Sequence, residues 1–184
     1  MNTNQDETIN EILTFWFEET SLKQKYSKDD DFDALIKSKY EALYWDVMEG
    51  ATKSWRGTPE GRLAEVIILD QFARNMFRGK KQSFAGDELA LTLAREAIAV
   101  GDDMKLPDGQ GQSFYMPFMH SESREVHAEA LELFEEKSDE NSLKYEIIHK
   151  EIIDRFGRYP HRNEVMGRES TPEELEFLKE HTGF

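Results

Sequence analysis

Apolar side chains recur at three- and four-residue steps along most of this sequence, a spacing that gathers them on one face of a helix. The pattern is strongest between residues 29 and 49, at Phe32, Leu35, Ile36, Tyr40, Leu43, Tyr44 and Val47. No segment has the two-residue alternation of a half-buried strand. The spacing therefore predicts an all-α fold of about eight or nine helices, and their short connections favour antiparallel hairpins.

Helix boundaries are marked by capping residues. Thr58-Pro59 and Thr171-Pro172 each place an N-capping threonine before a proline, which suits the first turn because its missing N–H needs no partner there. Glu174 completes a capping box with the second threonine. Glycines end three predicted helices, at Gly50, Gly101 and Gly157. The first apolar stretch predicts a helix from Asn10 to Glu19.

Length and composition limit the classes of protein to which this sequence can belong. The 184 residues fit a single all-helical domain, residues 1–184, and the absence of cysteine excludes disulfides, thiol catalysis and iron–sulfur clusters. A formal charge of −15 opposes binding to nucleic acid or anionic lipid. The longest aliphatic run, residues 66–69, is much shorter than the roughly 20 apolar residues of a membrane span. Because the first residues are polar and show no secretory signal, we expect a cytoplasmic protein.

Four of the ten arginines lie in the short stretch RFGRYPHRNEVMGR, residues 155–168, which contains one acidic residue, Glu164. The arginine fork matches the paired oxygens of a carboxylate or phosphate, and histidine and asparagine add hydrogen bonds. This arginine segment predicts ligand-binding residues at Arg155, Arg158, His161, Arg162 and Asn163. The alternative is structural, with the arginines paired to carboxylates of the same chain.

A second polar cluster occurs in LDQFARNMFRG. Asp70 and Arg74 are four residues apart on one helical face, and Asp70 is in line with apolar residues, so it is a candidate for an inward-facing catalytic carboxylate. Arg74, Asn75 and Arg78 are predicted ligand-binding residues. An exposed ion pair between Asp70 and Arg74 is the alternative.

The third cluster is FYMPFMHSE, where His120 and Glu122 are catalytic candidates, as is His161 of the arginine segment. Histidine and carboxylate together suit general acid–base chemistry or metal ligation, although no HExxH spacing supports a metal site and we assign none. Glu122 is alternatively an acidic residue at a helix N-terminus. His149, between isoleucines, is interpreted as a hydrogen-bonded core residue.

Several long segments together resemble one known family. They are EILTFWFEE, TPEGRLAEVIILDQFARNMFRG, FAGDELALTLAREAI, YMPFMHSE and HKEIIDRFGRYPHRNEVMGRESTPEELEFL. They are similar to the bacterial domain-of-unknown-function family 924, and the similarity extends over nearly the whole chain. The resemblance implies a tetratricopeptide-like (TPR-like) superhelical arrangement of helices. It implies no activity, and the sequence itself shows no clean repeat of about 34 residues.

Three functional hypotheses follow from these clusters. The first is a site for a small anionic ligand, a phosphate or a carboxylate, which leaves open whether the protein is an enzyme. The second is a TPR-like module that binds a protein or peptide partner. In the third, the polar clusters are structural only. No glycine-rich phosphate loop, GxGxxG or GxSxG motif is present, so no cofactor is assigned.

Overall fold

The computed structural model describes residues 3–107 and 109–181, apart from the side chain of Tyr26. Helices and short helical turns form the regular structure of these residues, and no strand occurs among them, so the all-α prediction is confirmed. The backbone divides into two compact units. Unit 1 comprises residues 1–78 and 82–117, and unit 2 comprises residues 79–81 and 118–184.

The described residues of unit 1 contain six α-helices, joined in part by shorter helical turns. They are α1 Thr3–Thr14, α2 Leu22–Tyr26, α3 Asp30–Met48, α4 Pro59–Val66, α5 Ala73–Met76 and α6 Asp87–Ala99. The π-helical segment Phe15–Glu19 extends α1, and a second one, Ile67–Phe72, joins α4 to α5. Helix α1 begins well before the predicted start at Asn10, because its polar first turns carry no apolar stripe to reveal them.

Aromatic rings form much of the core of unit 1. The Tyr40 ring of α3 stacks on Phe72 of the second π-helical segment, with centroids 4.7 Å apart. Phe15 lies 5.4 Å from Tyr40, and Trp16 meets Phe72 edge-on at 5.5 Å. All four side chains are buried. These contacts join the end of α1 to α3 and to the π-helical segment, and burial of large rings is a principal source of stability.

The start of α4 follows the predicted capping pattern. The Thr58 hydroxyl accepts a hydrogen bond from the Gly61 N–H at 3.2 Å, and Pro59 occupies the first turn. The 3₁₀ turn Lys53–Gly57 packs so closely here that a Cβ atom on Gly61 would lie 2.1 Å from the Trp55 carbonyl oxygen. Only glycine fits at this position without a shift of the backbone.

Unit 2 is built on an antiparallel helical hairpin, α8 Arg124–Lys137 and α9 Glu140–Phe156. His127 near the start of α8 meets Glu146, and Arg124 donates to the carbonyl of Asp154 further along α9. The helix α7 Met116–Met119 spans the boundary between the units. The described part of unit 2 also contains the 3₁₀ turn Pro160–Arg162, α10 Asn163–Met166 and α11 Pro172–Phe177.

The chain turns sharply after α9 and returns to its own helices. Gly157 ends α9 with a φ of +68°, a left-handed conformation that glycine adopts without strain. Tyr159 then enters a core with Ile152 and Ile153 of α9. Thr171 begins α11 with the predicted capping box. The turn after Gly157 thus brings the arginine segment close to α8 and α9.

Candidate functional site

Arg158 and Arg155 bind carboxylates at the start of α11. Arg158 donates from Nε and Nη2 to both Glu174 oxygens, at 2.6 and 2.8 Å, and from Nη2 to the Glu169 carbonyl at 3.0 Å. The Arg158 guanidinium is the main reason that the pKa of Glu174 is lowered to about 2. Arg155 pairs with Glu173 at 2.8 Å, where both side chains are more than half exposed. These two arginines tie α11 to the end of α9.

Glu122 is the centre of a second ion pair. Arg168 donates from Nη1 and Nη2 to its two oxygens, at 2.6 and 2.9 Å, and the Tyr159 N–H donates at 2.7 Å. Arg168 also donates from Nε to Asn163 Oδ1 at 3.0 Å. Burial raises the pKa of Glu122, but these donors outweigh burial and hold the pKa below its usual range. The N-cap of α8 is Ser123, so Glu122 does not cap that helix.

Three histidines and one arginine surround the buried ring of Tyr159. The ring centroids of His127, His149 and His161 lie 6.3, 5.8 and 5.5 Å from that of Tyr159. Arg162 places its Cζ 4.5 Å from the same centroid, in the geometry of a cation–π contact. Arg162 itself is 7% exposed. Unit 2 therefore holds a group of interior basic side chains that meet at one aromatic ring.

His149 is one of the most deeply buried of these groups. Burial is the main reason that its pKa falls to about 3, and the hydrogen bond of Nδ1 to the Tyr145 carbonyl, at 2.7 Å, opposes this shift. His120, His127 and Arg162 lower the pKa further through their positive charge. The ring is therefore neutral at physiological pH, with Nδ1 donating its proton to the carbonyl oxygen.

His161 is half-buried, and its pKa is also lowered by burial and by nearby positive charge. Burial lowers its pKa to about 4, and the positive charge of Arg162 lowers it further, whereas Glu122 raises it. His120 and Arg168 also lower it. We call the set of His120, His149, His161 and Arg162 the histidine–arginine cluster.

Two residues of unit 2 that the sequence analysis did not single out join this site. Glu146 and His127 are fully buried and lie 2.7 Å apart, between Oε1 and Nδ1. Burial raises the pKa of Glu146, and His127 partly opposes that shift. The two residues lie on different helices, so only the register of the α8–α9 hairpin could have paired them.

In unit 1, Arg74 binds two carboxylates. It donates to both oxygens of Asp87 on α6, at 3.0 and 3.1 Å, and lies 3.2 Å from Asp70 Oδ1. The Asp70 carboxylate also accepts from Gln71 Nε2 at 2.5 Å. Asp70 is buried in the π-helical segment, so the Asp70–Arg74 pair is not the exposed pair considered as an alternative.

Asn75 and Arg78 also bind within unit 1. Arg78 donates to both oxygens of Asp33 on α3, at 2.6 and 3.0 Å, and Asn75 Nδ2 donates to Asp33 at 2.8 Å. The candidates of the second sequence cluster therefore join helices of unit 1 to one another. The candidates of the other two sequence clusters lie in unit 2, where Glu122 and the arginine segment come together.

Three general features complete the description of the chain. Among residues 3–107 and 109–181, no three histidine or carboxylate side chains are grouped so that they could hold a metal ion. None of the described helices has the length and apolar character needed to span a bilayer. An open depression of about 670 Å³ lies on α3, lined by Ala34, Lys37, Ser38, Lys39, Glu41, Ala42 and Trp45. It contains none of the predicted site residues.

Fold and site together define an all-helical protein whose second unit gathers histidines and arginines around one tyrosine. The chain belongs to the family described as bacterial protein of unknown function (DUF924), whose sequence profile matches residues 12–182. The resemblance seen in the sequence motifs is thereby confirmed. A solved structure of a protein of unknown function from Agrobacterium tumefaciens is similar, with 32% sequence identity and a TM-score of 0.90. The alignment covers 96% of this chain and 99% of that one. Comparison with curated proteins gives no significant match.

Proposed function

We propose that unit 2 binds a small oxyanion, a phosphate or a carboxylate, at the histidine–arginine cluster. The observation that carries this proposal is the convergence of Arg162, His161 and His149 on the ring of Tyr159, in a chain whose formal charge is −15. His149 and His161 are neutral at physiological pH, so Arg162 is the fixed positive charge of this group, and that charge would attract an anion to the cluster.

The electrostatics of the histidines supports the same conclusion. Burial lowers the pKa of both His149 and His161, and the charge of Arg162 lowers it further, so Arg162 makes the potential at both rings more positive. Glu122 opposes it, but its carboxylate already accepts three hydrogen bonds from Arg168 and Tyr159. A bound oxyanion would accept hydrogen bonds from neutral imidazole N–H groups and from the arginine fork.

The candidate residues then divide by role. Arg162 would supply the fixed charge, while His161 and His120, both half-buried, would donate to the ligand. Arg158, which binds Glu174, would hold the turn that carries Arg162 and His161. Catalysis stays a prediction, in which His120 and His161 are the groups suited to carry a proton. Asp70, in unit 1, takes no part in this proposed site.

The scaffold and the location are part of the proposal. We infer a TPR-like superhelical arrangement of the helices from the family resemblance, and hairpins such as α8–α9 are the unit from which such arrangements are built. We infer a cytoplasmic location from the absence of cysteine, which suits a reducing compartment. A small metabolite with a phosphate or carboxylate group is the class of ligand that suits both inferences.

A thermal-shift screen with phosphate, sulfate and dicarboxylates tests the anion site. A ligand at a hundred times its Kd adds about 2.7 kcal/mol, which raises the melting temperature by roughly 5–11 °C for a chain of this size. Arg162→Gln should abolish the shift. Arg155→Gln is the matched control, because Arg155 is an exposed arginine of the same segment that pairs with Glu173. A shift that survives Arg162→Gln, or that is lost equally in Arg155→Gln, would contradict this site.

Adding basic peptides to the same screen separates the two other hypotheses. Peptides that raise the melting temperature when no anion does would favour the peptide-binding module. If no compound or peptide shifts the melting temperature, the result favours the third hypothesis, in which the polar clusters are structural only.

A further inference from the structure

The most unusual buried group outside the histidine–arginine cluster is the pair of Glu146 on α9 and His127 on α8. Both side chains are completely inaccessible to solvent. His127 Nδ1 lies 2.7 Å from Glu146 Oε1, and its Nε2 lies 2.9 Å from the Ser121 carbonyl oxygen and 3.2 Å from the Tyr159 hydroxyl. The Tyr159 hydroxyl donates to the Met119 carbonyl at 2.5 Å. A continuous chain of hydrogen bonds thus joins Glu146 to Tyr159.

Counting hydrogens fixes the directions of these bonds. A carbonyl oxygen only accepts, so His127 Nε2 carries a proton that it shares between Ser121 and the Tyr159 oxygen. The contact between Nδ1 and Glu146 then needs one further proton, held by the imidazolium or by the carboxyl group. The pair is neutral in either form. Glu146 and His127 therefore hold one shared proton inside unit 2.

Burying the Glu146–His127 pair in the protein interior costs free energy. Glu146 Oε2 is buried and has no hydrogen-bond partner, a condition that usually costs about 1–3 kcal/mol. Apolar side chains often replace a buried ion pair without loss of stability. Packing alone does not account for this arrangement, whereas an effect on the neighbouring cluster does, because the pair acts directly on Tyr159.

We propose that Glu146 and His127 are positioning residues of the oxyanion site. The bond of Glu146 to Nδ1 holds the His127 ring so that its Nε2 proton reaches the Tyr159 hydroxyl, and this second bond, together with the one to Met119, fixes the ring against which Arg162 lies. The inference rests on the proposed oxyanion site. Loss of these hydrogen bonds would leave the Tyr159 ring in place but free to tilt, and Arg162 would then lose its defined position.

Calorimetric titration with sulfate, an oxyanion that does not titrate near neutral pH, tests the inference in the full chain. Tyr159→Phe removes only the hydroxyl, and Glu146→Gln replaces the hydrogen bond of the shared proton with a weaker amide contact that holds the His127 ring less firmly. We expect each variant to bind sulfate about 3- to 10-fold more weakly. Glu65→Gln is the matched control, since Glu65 is a fully buried carboxylate of unit 1 that pairs with Arg56 and Thr52. It should lower the melting temperature but leave the sulfate Kd within twofold of that of the unaltered protein.

The ¹⁵N resonances of the His127 ring give a readout that a purely structural role would not change. Sulfate should shift them in the unaltered protein, and in Glu146→Gln they should be those of a ring protonated at Nε2 alone. If Tyr159→Phe and Glu146→Gln both bind sulfate as the unaltered protein does, or if the His127 resonances ignore sulfate, the positioning role is wrong and the site itself stands. If the unaltered protein binds none of sulfate, phosphate and the dicarboxylates, the proposed function fails and this inference fails with it.

Discussion

Arg162 and Arg168 come from one short segment, yet their guanidinium groups have different surroundings. Arg168 donates to both oxygens of Glu122 and to Asn163, so it builds the turn. Arg162 lies against the face of Tyr159 among histidines whose pKa values are low. In the sequence the two arginines look alike, because the chemistry of a residue type does not reveal which neighbour the fold supplies.

The ion pair of Arg168 and Glu122 predicts a specific loss of stability. Arg168→Ala removes four hydrogen bonds and leaves Glu122, which is only 27% exposed, without its guanidinium partner. We expect the free energy of unfolding to fall by about 2–3 kcal/mol, somewhat less than for a fully buried pair. Urea denaturation followed by circular dichroism would measure this change.

Arg155→Ala provides the comparison for that experiment. The Arg155–Glu173 pair has side chains 53% and 62% exposed, and exposed pairs contribute at most about 1 kcal/mol. Equal losses in the two variants would mean that burial does not determine the strength of these pairs.

At the scale of elements, local sequence patterns predicted the helices and several of their ends. Thr58, Thr171 and Gly157 have the capping roles that their residue types favour. The π-helical segments and 3₁₀ turns were not predicted. The hydrogen bonds of a π-helical turn reach one residue further than those of an α-helix, but the apolar spacing over so short a stretch is almost the same.

Replacing Gly61 with alanine has two opposing effects on helix α4: alanine favours the helix, but its Cβ atom clashes with a neighbouring turn. In the interior of a free helix, alanine is favoured over glycine by about 1 kcal/mol. Here the added Cβ would lie 2.1 Å from the Trp55 oxygen, a backbone atom that cannot turn aside. The clash should prevail, so Gly61→Ala should lower the free energy of unfolding by about 1–3 kcal/mol in urea denaturation. Gly57→Ala is the control, because no atom lies within 4 Å of its added Cβ. A stabilised Gly61→Ala variant would show that the 3₁₀ turn moves away easily.

At the scale of the whole molecule, pairing between distant residues was the hardest feature to predict. Arg168 and Glu122 are 46 residues apart, and His127 and Glu146 are 19 apart. With 38 acidic side chains in the chain, each arginine or histidine has many possible partners, and only the folded backbone selects one. The sequence therefore identified the arginine segment and His120 as chemically unusual, but not the tyrosine and the buried pair around which unit 2 arranges them.

Acid should unfold this protein partly through its buried histidines, and His149 has the largest expected effect. Its pKa is about 3 in the folded protein and about 6.5 in an unfolded chain, so the unfolded state binds the proton first as the pH falls. Its contribution to stability is complete above pH 6.5 and declines toward pH 3. By pH 5 the loss from this one group reaches about 2 kcal/mol.

His149→Gln should remove this part of the pH dependence. Lowering the pH also reduces the net negative charge, which relieves repulsion across the whole chain, but that effect is common to the variant and the unaltered protein and cancels in the comparison. Urea denaturation at pH 7.5 and pH 5 should therefore show a difference in stability about 2 kcal/mol smaller in His149→Gln. His181→Gln should change nothing, because His181 is exposed. Parallel losses in His149→Gln and the unaltered protein would mean that His149 is protonated as readily in the fold as outside it, and that the interior around Tyr159 admits water.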